Sequence, residues 1–169
     1  MLDRGQFWSP AMTEGTSLQG KDLQVRLLPP IGQIMISGDL DAGLARFGLG
    51  DSVGLLGAVS GDRYALRLAR GRALVVGADI DASQAGWREG VAITPMTGAL
   101  AVIEIRGPRA IELVARATAI DLRKPSPCAA LNFAGVTSVL CSHDDGLRLH
   151  LDRGLVTYML DWMGSSGLF

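Results

Sequence analysis

Aromatic residues, cysteines and an excess of either charge are all scarce in this chain of 169 residues. Its 16 basic and 17 acidic residues are spread along the sequence and give a formal net charge of −1. Such a balance offers no electrostatic footprint for a nucleic-acid backbone or an anionic lipid surface. We therefore expect neither nucleic acid nor a membrane among the partners.

Long apolar runs are missing as well. The longest clean apolar stretch covers residues 99–103, whereas a helix needs about 20 apolar residues to cross a bilayer. The N-terminal residues include Asp3, Arg4 and Glu14 and contain no apolar signal-peptide core. These features predict a soluble, cytoplasmic protein.

Only 5% of the residues are aromatic, so the hydrophobic core must consist mainly of aliphatic side chains. A pocket for a large planar cofactor usually brings together more aromatic and polar groups than this composition provides. With 48% hydrophobic residues, the chain is still long enough to bury the core of an ordinary globular domain. We expect no cofactor-binding residue in this chain.

The two cysteines, Cys128 and Cys141, are too few for a disulfide framework and form no C-x-x-C pair. A hairpin centred on Ala134-Gly135 would place them opposite each other as reduced, small hydrophobic residues. With His143 and His150 they lack the short spacings of a zinc site. The sequence predicts no metal site, and both histidines are expected to be partly exposed strand residues.

Residues 1–20 are polar and rich in Gly, Ser and Thr, apart from Phe7 and Trp8. The sequence predicts an N-terminal arm at 1–20 followed by a single α+β domain at 21–169. The arm is either a disordered tail or an extended segment that anchors on another chain. Two adjacent large aromatic residues favour the second interpretation.

Hydrophobic periodicity alternates between strand and helix along the rest of the chain. Strand, helix, hairpin and helix occur in that order twice, with an irregular piece at 81–88. This order predicts an α+β fold of two split β-α-β units with antiparallel sheets. The predicted elements are strands at 22–27 and 33–37, a helix at 41–47, strands at 63–68, 73–76 and 98–106, a helix at 108–118, strands at 128–133, 136–141 and 147–151, and a helix at 155–163.

No motif outweighs an ordinary structural explanation. The Gly-rich segment 48–54 resembles a dinucleotide fingerprint, but its third glycine is one residue late. The segment Asp144-Asp145-Gly146 is typical of a turn between strands. No G-x-S-x-G elbow accompanies the serines and histidines. The sequence therefore predicts no catalytic residue.

The last predicted helix is apolar around most of its circumference. Leu155, Met159 and Trp162 form one apolar stripe, and a second stripe follows at Val156, Leu160 and Met163. A small domain has room to cover one stripe, so we expect the other to dock on a partner; the alternative is that both are core. The candidate interface residues are Phe7, Trp8, Met159 and Trp162.

Three stretches resemble the gamma subunits of heterotetrameric sarcosine oxidases, which are related to the folate-binding fold of the glycine-cleavage T-protein. They are PIGQIMISGD at 30–39, IEIRGPRA at 103–110, and residues 149–162. The resemblance covers roughly residues 27–163.

The resemblance implies a non-catalytic structural subunit of a complex that oxidatively demethylates a secondary amine, either sarcosine or another N-methyl amino acid. The implied partners are larger flavoprotein alpha and beta subunits and a small zinc-binding delta subunit. FAD, FMN, NAD, tetrahydrofolate and zinc would belong to those partners. The alternatives are a free-standing folate-binding or aminomethyltransferase-like domain and an unrelated structural module.

Overall fold

The computed structural model describes residues 15–124 and 126–169, which form two packed β-sheets with helices outside. The strands are β1 (Ser17–Gln19), β2 (Gln24–Leu27), β3 (Gln33–Gly38), β4 (Ala58–Val59), β5 (Tyr64–Ala69), β6 (Arg72–Val76), β7 (Gly86–Arg88), β8 (Val91–Pro95), β9 (Leu100–Arg106), β10 (Ala130–Phe133), β11 (Val136–His143) and β12 (Gly146–Asp152). The helices are α1 (Leu40–Ala45), α2 (Ala110–Ala117) and α3 (Val156–Gly164), with short 3-10 turns at Ala82–Gln84 and Arg153–Leu155.

The large sheet has the strand order β1-β2-β9-β12-β11-β10, and β4 pairs in parallel with β11. The small sheet has the order β5-β6-β3-β8-β7 and is antiparallel throughout. The predicted α+β class with antiparallel sheets is therefore confirmed. Strands β4, β7 and β8 were not predicted, because each is short or begins beside a glycine.

Three hydrophobic clusters hold four layers together. One lies between the large sheet and the helices α2 and α3, one between the two sheets, and one between the small sheet and α1. Strand β12 illustrates the layering, because Leu147, Leu149 and Leu151 face the helices while Arg148 and His150 contact the small sheet. Alternation with a period of two places successive side chains on opposite faces.

Several local contacts follow from the sequence. The carboxylate of Asp39 caps α1 by accepting from the Ala42 N–H at 3.1 Å, as short polar side chains do at helix N-termini. Glu112 and Arg116, four residues apart on α2, form an ion pair at 2.7 Å.

The predicted arm is wrong at its last residues. Residues 17–19 form a strand that was not predicted, β1, because they pair with β2 in the large sheet. Residues 1–14, which include Phe7 and Trp8, lie outside the described residues.

The hairpin of β10 and β11 turns at Ala134 and Gly135, which both have positive φ, as a tight hairpin turn requires. The predicted register holds from Phe133 opposite Val136 to Ala130 opposite Val139. The ladder ends there, so the expected strand pair of Cys128 and Cys141 is not part of it. Cys141 opposes Arg148 instead, and Cys128 turns toward the small sheet, with its Sγ 2.8 Å from the Leu68 carbonyl oxygen.

Candidate functional site

A group of polar side chains is enclosed between the two sheets. We call it the inter-sheet polar cluster, and its members are Gln33, Tyr64, His143, Arg148 and His150. Gln33, Tyr64 and the two histidines are buried. Buried polar groups are normally hydrogen-bonded, because an unpaired one costs about 1–3 kcal/mol. The inter-sheet polar cluster is therefore a candidate functional site.

Hydrogen bonds fix the orientation of Gln33 and the tautomer of His150. The Gln33 Nε2 donates to the Leu100 carbonyl at 3.1 Å, which turns Oε1 toward His150. That Oε1 lies 2.7 Å from His150 Nδ1, so Nδ1 must carry the proton, since an amide oxygen only accepts. The other ring nitrogen, Nε2, then bears a lone pair and has no hydrogen-bond partner among the described residues.

Burial holds three acid–base groups of this region, His150, Tyr64 and Cys141, in their uncharged forms. Burial lowers the pKa of His150 to about 3, and the nearby charges of Arg148 and His143 act in the same direction. Burial also raises the pKa of Tyr64 to about 12, and it raises the pKa of the neighbouring Cys141 thiol to about 12. A neutral imidazole, a phenol and a thiol with these values cannot exchange protons efficiently near neutral pH.

Both histidines contradict the sequence expectation of partial exposure. His143 and His150 are buried because β11 and β12 turn these residues toward the small sheet, which covers them. His143 Nε2 lies 2.9 Å from the Gly61 carbonyl, and its Nδ1 lies 3.0 Å from a carboxylate oxygen of Asp144. Among residues 15–124 and 126–169, no group of three His, Cys, Asp or Glu side chains is placed to bind a metal ion.

A charged group lies beside the cluster on the same face of the large sheet. Glu104 accepts from Arg26 at 3.2 Å and pairs with Arg106 at 3.0 Å. Burial opposes the ionisation of Glu104, but the hydrogen bond from Arg106 and the charges of Arg106, Arg26 and Arg148 outweigh it and lower its pKa. This carboxylate is therefore held in two ion pairs.

Helix α3 does not divide into the two predicted stripes. Val156, Met159, Leu160 and Met163 form one buried face at i, i+3, i+4 and i+7, the spacing of a single amphipathic helix. Met159, a predicted interface residue, is 0% exposed and packs in the chain's own core. The second stripe at 156, 160 and 163 is therefore core and offers no docking surface in this chain.

Trp162, another predicted interface residue, is half-buried at the edge of the same core. Its ring meets Phe133 edge to face, with centroids 5.9 Å apart and an interplanar angle of 74°. Such pairs add about 0.5–1.5 kcal/mol beyond the area that they bury. Part of the indole faces solvent, so its role at an interface remains a prediction.

Other apolar side chains, which the sequence analysis missed, are exposed. Ile111 on α2 faces solvent, whereas its neighbours Leu113 and Val114 are buried. The signal was available, because Ile111 lies off the stripe that Ala110, Leu113, Val114 and Ala117 form. Within the described part of the chain, the exposed large hydrophobic residues are Trp87, Ile111, Ile120, Leu155, Tyr158 and Phe169.

Two of these residues line a groove of about 610 Å³ between α3 and the β10–β11 turn. Leu155 and Tyr158 form one wall, and Leu100, Val136 and Thr137 contribute to the other. The Tyr158 hydroxyl donates to the Ala134 carbonyl at 2.8 Å, which fixes the ring across the groove. Apolar grooves at a surface are among the places where partners or ligands bind.

No helix within residues 15–124 and 126–169 is long and apolar enough to cross a membrane.

Comparison with solved structures identifies two proteins with this arrangement of sheets and helices. A chain of the heterotetrameric sarcosine oxidase from Corynebacterium sp. U-96, solved in complex with pyrrole 2-carboxylate, matches with a TM-score of 0.69 at 18% identity. The match covers 87% of this chain and 85% of that one. The chain has the fold of that oxidase chain. The predicted relation is thus confirmed at the level of fold.

A second match is the glycine cleavage system aminomethyltransferase T from Bartonella henselae, with a TM-score of 0.51 at 12% identity. It covers 80% of this chain but 44% of the aminomethyltransferase, so this chain spans less than half of that protein. No family model matches the sequence. No curated protein matches it either.

Proposed function

We propose that this chain is a non-catalytic structural subunit, of the gamma type, in a heterotetrameric flavin-dependent complex that oxidatively demethylates sarcosine or another N-methyl amino acid. The observation that carries the proposal is the extent of the structural match. The fold agrees over 87% of this chain and 85% of a chain from a heterotetrameric sarcosine oxidase. A subunit of comparable size and shape can occupy a comparable place in an assembly.

The chemistry of the described residues supports a structural role. His150, Tyr64 and Cys141 are buried and uncharged near neutral pH, and Glu104 is paired with arginines. FAD, FMN, NAD, tetrahydrofolate and zinc would be bound by the partner subunits. The isolated chain is then expected to carry no flavin and to oxidise no amine.

The surface supports assembly with larger subunits. The groove at Leu155 and Tyr158 lies beside the half-buried Trp162 on the same helix. Aromatic anchors next to apolar grooves are frequent centres of binding energy in interfaces. Phe7 and Trp8 in the N-terminal arm are further proposed contacts.

Co-purification tests the proposal. The tagged chain should bring down flavoproteins from its native source, and the recovered complex should oxidise sarcosine or another N-methyl amino acid. Leu155→Ser should weaken this recovery without changing the melting temperature of the isolated chain, because Leu155 is exposed. Ile111→Ser on α2 is the matched control and should leave recovery unchanged. Purification as a lone chain with no associated flavoprotein would contradict the proposal.

The likeness to an aminomethyltransferase favours a second candidate, a free-standing folate-binding domain. Direct titration of the isolated chain with tetrahydrofolate separates the two. Binding by the lone chain would support the folate-binding domain, whereas recovery with flavoproteins and no folate binding would support the structural subunit.

A further inference from the structure

A second polar site, unlike the inter-sheet polar cluster, is open to solvent. It is a pocket of about 400 Å³ at β5, an edge strand of the small sheet. Its volume lies within the range of about 300–1,000 Å³ that is typical of small-molecule sites. We call it the arginine pocket, and its lining includes Ser52, Gly54, Arg67, Arg70, Pro127 and Cys128.

Backbone hydrogen bonds build this pocket from three stretches that are distant in the sequence. The Arg67 N–H donates to the Val53 carbonyl at 2.8 Å, and the Ala129 N–H donates to the Arg67 carbonyl at 2.7 Å. A Cβ atom at Gly54 would collide with the Ser126 carbonyl, so the close crossing of these two segments requires glycine. The walls are therefore fixed before any ligand arrives.

The guanidinium group of Arg67 is held in place by two hydrogen bonds. Its Nε donates to the Ser52 hydroxyl at 2.8 Å, and its Nη1 donates to the Arg70 carbonyl at 3.1 Å. A guanidinium has five N–H donors, so three remain for a ligand. Preorganisation of this kind reduces the entropy that is lost on binding.

Neither arginine of the pocket has a counter-charge among the described residues. Arg26, Arg106 and Arg116 each pair with a carboxylate, whereas no carboxylate oxygen of residues 15–124 and 126–169 lies within ion-pair distance of Arg67 or Arg70. Asp51 is close in sequence, and its carboxylate accepts from the Ser52 N–H at 2.6 Å but makes no ion pair with either arginine. Two unpaired cations beside one pocket create a local positive potential in a chain whose net charge is −1.

Several acceptors around the pocket are already occupied, whereas Arg67 and Arg70 keep free N–H donors. The Leu68 carbonyl accepts from the Cys128 thiol, and the Cys128 carbonyl accepts from the Ser126 hydroxyl at 3.0 Å. The Arg67 and Arg70 carbonyls are occupied as well. A ligand that satisfies the pocket must therefore supply acceptors. Pro127 and the methyl group of Ala69 add an apolar wall.

We propose that the arginine pocket binds a small organic anion, a carboxylate that carries a short apolar group. The planar fork of Arg67 matches the two oxygens of a carboxylate, and the wall at Pro127 accommodates the apolar group. No acidic side chain lines the pocket among the described residues. An amino acid zwitterion would leave its ammonium group unpaired there, so the preferred ligand lacks an amine beside the carboxylate.

Cys128 provides a built-in reporter, because its side chain lines the pocket and is partly exposed, whereas Cys141 is fully buried. Iodoacetate and iodoacetamide both alkylate a thiolate with loss of iodide and differ in charge. We expect the ratio of their rates at Cys128, measured by peptide mapping on the full chain, to exceed the ratio at free glutathione several-fold. Butanoate should slow both reactions.

Matched variants separate the pocket from general surface charge. Arg70→Gln should abolish the preference for iodoacetate and the protection by butanoate. Arg72→Gln should change neither, because Arg72 is an exposed arginine on the same hairpin that does not line the pocket. In a parallel titration, butanoate should shift the ¹⁵N NMR resonance of Arg67 Nε. Equal effects of the two variants, or a Cys128 ratio equal to that of glutathione with no Arg67 shift, would overturn the proposal.

Discussion

The inter-sheet polar cluster and the arginine pocket use similar residue types and differ in what covers them. In the cluster, His150 and Tyr64 lie between the two sheets, and burial keeps both uncharged. In the pocket, Arg67 and Arg70 reach solvent and have no carboxylate partner among the described residues. The difference is positional, because Tyr64 and Arg67 lie on the same strand, β5. Polar side chains of one strand are enclosed where the two sheets stack and reach solvent where the stacking ends.

The largest expected effect is the dependence of the free energy of unfolding on pH, which arises from His150 in the inter-sheet polar cluster. His150 has a pKa of about 3 in the folded chain and an ordinary value of 6.5 when unfolded. Between pH 6.5 and pH 3, the unfolded chain therefore binds a proton at His150 that the folded chain does not bind. The contribution of neutral His150 to the free energy of unfolding is complete above pH 6.5 and is lost as the pH falls toward 3, by up to about 1.4 kcal/mol per pH unit.

Urea unfolding from pH 7 to 4 measures this slope, and His150→Gln should flatten it. Glutamine keeps a partner for Gln33 but cannot titrate, while the carboxylates, Glu104 among them, titrate alike in both proteins. Parallel curves for the parent chain and His150→Gln would show that His150 is protonated while folded, or is not enclosed as described.

The second largest expected effect comes from removal of the Gln33 side-chain amide, which orients His150 in the inter-sheet polar cluster. Gln33→Ala leaves the His150 Nδ1–H and the Leu100 carbonyl without their partners. Each unsatisfied buried group costs about 1–3 kcal/mol, so the free energy of unfolding should fall by about 3 kcal/mol in urea titrations at pH 7. The control is Gln24→Ala, a truncation at an exposed strand position. Equal losses in the two variants would indicate that water satisfies the cluster.

Much of the layering could be predicted from local sequence patterns. Which element packs on each face of a sheet could not. The alternation of Leu147, Leu149 and Leu151 identifies β12, and Asp39 identifies the start of α1. Nothing local indicates that a second sheet covers the opposite face of β12, so His150 was expected to be partly exposed. Burial of that face depends on partners more than 80 residues away, such as Tyr64.

The arginine pocket was missed for a related reason. The density of Arg67, Arg70 and Arg72 in one hairpin was a visible signal, but solvated arginines are common at hairpin turns. What makes a site is the convergence of Ser52 and Pro127 on the same edge. Only the tertiary structure brings these distant segments together.

Truncation of Trp162 tests whether the edge of the helical core is part of the folded framework, like the inter-sheet polar cluster, or an open surface, like the arginine pocket. Trp162→Ala removes the edge-to-face contact with Phe133. A fully buried aromatic residue would cost about 3–5 kcal/mol, and because Trp162 is only half-buried we expect about 2 kcal/mol, measured by urea unfolding. Trp87→Ala is the matched control at a side chain that is 67% exposed. A large loss of partner recovery with an unchanged unfolding energy would assign Trp162 to an interface instead of the core.

The smallest expected effect on the free energy of unfolding is at the arginine pocket. Arg70 is exposed and its side chain has no hydrogen-bond or ion-pair partner among the described residues, so Arg70→Gln should change the free energy of unfolding by less than about 0.5 kcal/mol in urea at pH 7. The sign should be slightly stabilising at low ionic strength, because the substitution removes one of two neighbouring positive charges. Added salt should screen that repulsion and erase the difference. A loss comparable to that of Gln33→Ala would mean that Arg70 is part of the folded framework, and the pocket would then be a structural element like the cluster.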